Sequence, residues 1–196
     1  MRTIILTLLG VTALIFVSCK GDNKTDKITD AQKQEMRKSA KEFMTQLKGI
    51  LFREMKAGGV QNAVAVCSDT AQVLTNNFGL QRGIYIRRIS FKNRNKNDYP
   101  DEYESKVLQQ FKQMQSEGKL SKQSERIEIV KENDHKYLRY MKPIFVGTAC
   151  LNCHGSDRDI SSAVKNILTE KYPDDKAVNY KAGDLRGAVS IKKLIN

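Results

Sequence analysis

The chain has 196 residues, of which 40% are hydrophobic and 29% charged, enough apolar material for one packed domain of ordinary size. A formal net charge of +12 would suit a nucleic-acid binder, but the lysines are spread along the chain with acidic residues interleaved. No compact basic run with aromatic partners occurs, so nucleic acid is excluded in favour of a lysine-rich solvated surface, one that also suits anionic lipid or an acidic partner protein.

In chain order, Met1-Arg2 is followed by an apolar stretch over 3–17, short for a bilayer span and right for the core of a signal peptide. It ends in Phe16-Val17-Ser18-Cys19, small residues before a cysteine, the pattern of a bacterial lipobox with Cys19 as the lipidated first mature residue. Phe16 stands where an aliphatic residue is more usual. Residues 1–18 are expected to be a lipoprotein signal, 19–30 a polar tether from the membrane, and 31–196 one folded domain. The expected location is outside the bacterial cytoplasm, in the periplasm or cell envelope.

Thr29 or Asp30 can cap a long helix whose apolar residues Met36, Ala40, Phe43, Leu47, Ile50, Leu51 and Met55 recur every three or four positions. Gly58-Gly59 is expected to end it. A second helix is expected over 61–76, with Val60, Ala63, Val64, Cys67, Ala71 and Leu74 on one side, and Gly79 breaking the pattern. The period then changes. Residues 83–91 are rich in β-branched and aromatic types and predict a strand, and 92–100 a loop. Asp101 opens a helix through Val107, Leu108, Phe111 and Met114 that stops at Gly118. Residues 126–131 alternate polar and apolar, Glu132-Asn133-Asp134 turns the chain, and 135–146 returns as the partner of a hairpin. A helix over 160–172 and a last strand over 183–191 complete an α+β pattern, an antiparallel sheet with flanking helices.

Before that last helix stands Cys150-Leu151-Asn152-Cys153-His154, the attachment sequence of c-type haem. Two thiols so spaced reach the two vinyl groups along one edge of a porphyrin, and the next residue, His154, falls beneath the iron as its proximal ligand. The competing readings are a redox dithiol and half of a zinc site. Zinc usually takes about four ligands, and no second Cys-x-x-Cys occurs. With Cys19 assigned to lipid and Cys150 and Cys153 to the haem, Cys67 is an unassigned thiol on an apolar helical face, either an iron ligand or a small core residue.

The other candidates divide similarly. Arg88 and Arg94 have guanidinium forks that suit haem propionates, or are ordinary surface charge. Tyr140 lines the pocket or packs in the sheet. His135 abuts a turn and is expected to be exposed, and Met44, Met55, Met114 and Met141 have the spacing of core residues. Small helical electron-carrier cytochromes are a poor match, because the attachment sequence sits late and no methionine follows it. The predicted strands do not fit a four-helix bundle. The pattern is that of a sensor module with a haem built in.

Several ordered segments carry a resemblance: Ala65-Val66-Cys67, Ile86-Arg87-Arg88-Ile89-Ser90, Asn95, Asn97, Pro100 and Glu104 at fixed spacing, Tyr140-Met141-Lys142-Pro143-Ile144, the haem sequence with Gly155, and Gly183-Asp184-Leu185-Arg186-Gly187-Ala188. Over about residues 35–192 the chain resembles bacterial single-haem c proteins with a PAS-like fold. Lys96 and Tyr103 depart from the family's frequent proline and tryptophan. The resemblance implies a PAS-like antiparallel sheet with one covalent haem c, His154 as proximal ligand and Cys67 as the opposite, sixth ligand. A thiolate opposite imidazole implies a low potential. Three functions are then weighed: a membrane-tethered redox or small-gas sensor that signals to a separate partner protein, a low-potential electron carrier, and, last, a peroxidase-like enzyme, for which no acid–base pair is apparent.

Overall fold

The computed structural model describes residues 27–195, so the expected signal, the Cys19 lipid site and most of the tether lie outside the described residues. Helix α1 spans Asp30–Arg82. Thr29 caps it: its Oγ1 accepts from the Gln32 N–H at 3.2 Å, and Gln32 Oε1 accepts from the Thr29 N–H at 2.8 Å. Helical geometry fails at Gly58 and Gly59, the latter at φ 76°, which a side chain would resist. Two arms, 30–57 and 60–82, fold back on each other there. The Phe43 and Phe78 ring centroids lie 5.4 Å apart, whereas a straight helix would separate them by roughly 50 Å. Arg82 Nη2 donates to Glu42 Oε2 at 3.0 Å, and Asn62 Nδ2 donates to the Glu54 carbonyl at 3.2 Å across the bend.

The second arm does not stop at Gly79 as expected. It runs to Arg82 and is capped by Gly83 in the left-handed conformation, with the Gly83 and Ile84 N–H groups closing on the Gly79 carbonyl. Gly79 is small for another reason. The exit strand crosses over it, and a Cβ there would lie 2.7 Å from the Ile84 carbonyl oxygen.

Strands β1 (Tyr85–Ile89), β2 (Arg126–Glu132), β3 (His135–Phe145) and β4 (Leu185–Ile195) form one antiparallel sheet in the order β1-β4-β3-β2. The hairpin turn places Asn133 and Asp134 both at positive φ, the geometry that matches strand twist. Strand β4 outlasts its expected end at 191 because Lys192 to Ile195 pair with Arg139 to Lys136.

Side-chain alternation sends opposite sets to the two faces. Ile86, Leu138, Tyr140, Val189 and Ile191 meet Met36, Ala40, Phe43 and Phe78 of α1. Ile89, Met141 and Ala188 meet Val107, Leu108 and Phe111 of α2 (Glu102–Ser116). Tyr140 is therefore a core residue, fully buried, with its hydroxyl donating to Glu125 at 3.1 Å. A third helical element, the short turn α3 (Leu151–His154), is followed by α4 (Ser162–Lys171), which packs Val164 and Leu168 on Val64 of the second α1 arm. The α+β expectation, a sheet with helices on its faces, stands.

A buried charge network fixes the start of α2. Asp101 and Glu104 form a reciprocal capping box, at 2.7 and 2.8 Å, and the Glu104 carboxylate, 1% exposed, pairs with Arg87. Arg139 of β3, 2% exposed, donates to Asp101 and Glu132 at 2.8 Å each and lies over the Tyr103 ring.

The register between β3 and β4 slips once: Ile144 pairs with Gly187 and Phe145 with Leu185, so Arg186 is left out of the ladder. This bulge needs Gly187, whose φ is 154° and whose Cβ would stand 2.0 Å from the Ile89 carbonyl oxygen. Gly187→Ala should cost at least about 2 kcal/mol in urea unfolding, from overpacking plus backbone strain. Gly118→Ala, at φ 69° but with nothing within 4 Å, should cost about half that or less.

Candidate haem site

A 3-10 turn over Thr148–Cys150 runs into α3. Cys150 already has helical dihedrals (φ −70°, ψ −23°), so 150–154 form one continuous turn. Positions i, i+3 and i+4 of a helix share a face, and these are Cys150, Cys153 and His154. The Cys150 Sγ accepts from the Gly147 N–H at 3.4 Å and packs with Val146, Ala177 and Tyr180. Cys153 packs on the cluster that Val64 of α1 forms with Ile160, Val164 and Leu168.

The chain after α4 returns to close over this turn. The Asn179 N–H donates to the Gly155 carbonyl at 2.7 Å and the Tyr180 N–H to the His154 carbonyl at 3.0 Å. His154 Nδ1 lies 2.7 Å from the Ala177 carbonyl oxygen. A carbonyl only accepts, so Nδ1 carries the proton and Nε2 keeps its lone pair for a metal. The ring stands edge-on to Tyr180, with centroids 6.4 Å apart. Burial, with the positive charges of Arg94, Arg186 and Arg88, pushes its pKa down to about 3, so the imidazole is neutral, the form that ligates.

Three arginines surround the turn and do different work. Arg94 is a clamp: Nε donates to Asp175 Oδ2 at 2.9 Å and Nη2 to the Cys153 carbonyl at 2.5 Å, with the Ala177 carbonyl at 3.5 Å. It ties the attachment turn to the segment that orients His154. Arg88, half-buried on β1, has a guanidinium that donates no hydrogen bond to another described residue, although its charge acts on Cys67, Asp98 and His154. Arg186, the bulge residue, donates from Nη1 to the Lys92 carbonyl at 3.0 Å, and its guanidinium lies 5.4 Å from the Tyr180 ring centre. Burial pulls its pKa down.

Cys67 is half-buried on the second α1 arm, one turn beyond Val64. Burial pushes its thiol pKa up, while Arg88 lowers it and the Glu54 carboxylate raises it. Burial likewise raises that of Cys153, on which Arg94 acts downward and the Cys150 and Cys67 sulfurs upward. All three thiols are free. Among the described residues, no three His, Cys, Asp or Glu side chains converge as a bare metal ion would require.

The structure therefore brings together Cys67, Cys150, Cys153, His154, Arg88 and Arg94. His135 stands apart, exposed on the β2–β3 turn beside Tyr137. Two members of the site were missed from the sequence. Arg186 is aimed by a register slip, signalled only by the glycine after it. Glu54 reaches Cys67 because the arms fold back, and its carboxylate is held by Asn62 Nδ2 at 3.2 Å and by Arg53.

The fold and site define a protein with an antiparallel sheet, a helical hairpin and a cysteine–histidine turn between them. A family model described as Tll0287-like matches residues 26–193, and the chain belongs to that family. The resemblance drawn from the ordered segments is borne out at that level. Among solved structures, the chain is similar to the crystal structure of the cyanobacterial heme-protein Tll0287, at 21% identity and a TM-score of 0.62 over 86% of this chain and 98% of that one. At that identity the likeness establishes the fold. Among curated proteins no relative matches.

Arg94→Ala should lower stability by about 3 kcal/mol in urea unfolding, because it leaves the enclosed Asp175 carboxylate unpaired. Arg94→Lys should recover less than half, since an ammonium cannot span Asp175 and the Cys153 carbonyl together.

Proposed function

We propose that this chain carries one haem c, held covalently by Cys150 and Cys153, with His154 and Cys67 as the two protein ligands of its iron. The observation that carries this reading is the packing of Cys153 on the cluster around Val64, one helical turn before Cys67, beside an imidazole whose Nε2 is free. A porphyrin iron asks the protein for two ligands only. The likeness to a cyanobacterial heme-protein supports the same cofactor. Arg88 is the proposed partner of a propionate, with Arg94 contributing through its hold on the turn.

When bound, the haem would supply one-electron redox chemistry, at the low potential expected of a thiolate–imidazole pair from Cys67 and His154. The two ligands are held unequally. His154 is fixed by the Ala177 carbonyl and by backbone bonds on both sides, while the Cys67 side chain makes no hydrogen bond to another described residue. Cys67 is thus the releasable ligand, and its release would admit a small molecule such as carbon monoxide or nitric oxide. That supports a redox or small-gas sensor module that passes its signal to a separate protein. We assign no catalytic role, since the carboxylate that acts on Cys67, that of Glu54, is tied to Asn62 and Arg53. Export, lipid on Cys19 and a place in the bacterial cell envelope complete the proposal. A second reading, a low-potential electron carrier, is favoured by the half-buried Cys150 and Cys153, which bring the attachment edge close to the surface.

Protein made in a host that matures c-type cytochromes should carry the added mass of one haem, and a mass without it defeats the proposal. Cys67→Ser should change the ferric absorption spectrum and speed carbon monoxide binding to the ferrous form at least about tenfold, as expected when a competing ligand is removed. An unchanged spectrum places the sixth ligand elsewhere. Rapid electron exchange without ligand exchange would favour the carrier.

A further inference from the structure

The first arm of α1 has an outer stripe that the haem proposal does not use. Lys38, Lys41, Lys48, Phe52 and Lys56 recur at spacings of three, four, seven and eight, which places them on one side of the helix, opposite Met36, Phe43 and Leu47. All five are exposed, and Phe52 keeps 52% of its surface in water. The stripe is about 27 Å long at 1.5 Å per residue.

No acidic residue lies on it between 38 and 56. The acidic side chains of this stretch of the arm, with Glu35 just before it, are drawn elsewhere: Glu35 accepts from Lys193 Nζ at 2.5 Å, Glu42 from Arg82 at 3.0 Å, and Glu54 from Asn62 at 3.2 Å. Lys38 keeps a distant contact with Glu42, at 3.9 Å. Lys41, Lys48 and Lys56 have no ion-pair or hydrogen-bond partner among the described residues.

We propose that this stripe docks the protein on an anionic phospholipid surface. A row of cations along one side of a helical arm, three of them unpaired among the described residues, is complementary to a plane of negative charge. Phe52, between Lys48 and Lys56, is the large apolar group positioned to enter the headgroup layer. Among the described residues no helix is long and apolar enough to cross a membrane. The contact is independent of lipid on Cys19 and of haem ligation.

The test is co-sedimentation of the haem-loaded chain, exported on a cleavable signal so that it begins at residue 20 without an acyl group. The vesicles are phosphatidylcholine alone or mixed with phosphatidylglycerol. Binding is expected only with phosphatidylglycerol and should fall as salt is added. Lys41→Gln/Lys48→Gln/Lys56→Gln should weaken it at least about tenfold, each lysine near such a surface contributing separately. Lys106→Gln/Lys112→Gln/Lys181→Gln, an equal charge loss away from the stripe, should weaken it less than about threefold. Equal losses from the two triple variants would overturn the proposal, reducing the effect to net charge. Failure to bind phosphatidylglycerol would overturn it too and leave the stripe to an acidic protein partner.

Discussion

The hydrogen bond from His154 Nδ1 to the Ala177 carbonyl, at 2.7 Å, is the constraint on which the site depends. An imidazole on a single helical turn could rotate freely about its side-chain bonds. This bond fixes both its tautomer and its direction. Its acceptor lies far along the chain, beyond α4, and reaches the ring only because the intervening segment folds and returns. The return is held by the backbone bonds of Asn179 and Tyr180 to Gly155 and His154, and by Arg94 bridging Asp175 and the Cys153 carbonyl. Packing α4 on α1 and orienting the histidine are therefore one event. Loss of any link in that loop would loosen the imidazole without touching it.

The sheet supplies the other wall through strand alternation. Arg87 and Arg88 are adjacent on β1 and point to opposite faces. Arg87 enters the buried network with Glu104 at the start of α2, while Arg88 lies on the α1 side, where its charge acts on Cys67. Buried charges are tolerated when paired, and here Arg87 and Arg139 are matched by Asp101, Glu104 and Glu132. The anchoring of one guanidinium thus presents the next at a set position. The bulge at Arg186 does the same for β4, turning a would-be ladder residue out over Tyr180.

Much of this was legible in the chain because it is local. Periodicity placed the two arms of α1, the strands and the helix from Asp101. The spacing of Cys150, Cys153 and His154 is itself one helical turn, so the donor face could be read without a structure. What escaped reading is decided by distant partners. Gly79 reads as a breaker but is a packing glycine, because Ile84 crosses it. The extra length of β4 comes from pairing with Lys136 to Arg139, which nothing near 192 announces. Arg94 reads as a propionate partner, while the bonds the structure records for it go to Asp175, Cys153 and Ala177. Tyr140, placed between pocket and sheet by sequence, is settled as core by the α1 arm that covers it.

The hairpin connects the site to the outer surface by a short path. Phe52 and Glu54 are two residues apart on the same arm, yet one faces water and the other acts on Cys67. The arm carrying Cys67 joins the arm carrying the basic stripe through Gly58 and Gly59, where helical bonding is interrupted. Near Arg82 the two arms are locked by Phe43 on Phe78 and by Arg82 on Glu42, and near the bend by Asn62 on Glu54. The hairpin is therefore tied at both ends, with Cys67 on the arm between. That bend also lies at the end of the surface proposed to meet the membrane, so the candidate site and that surface share one helical hairpin.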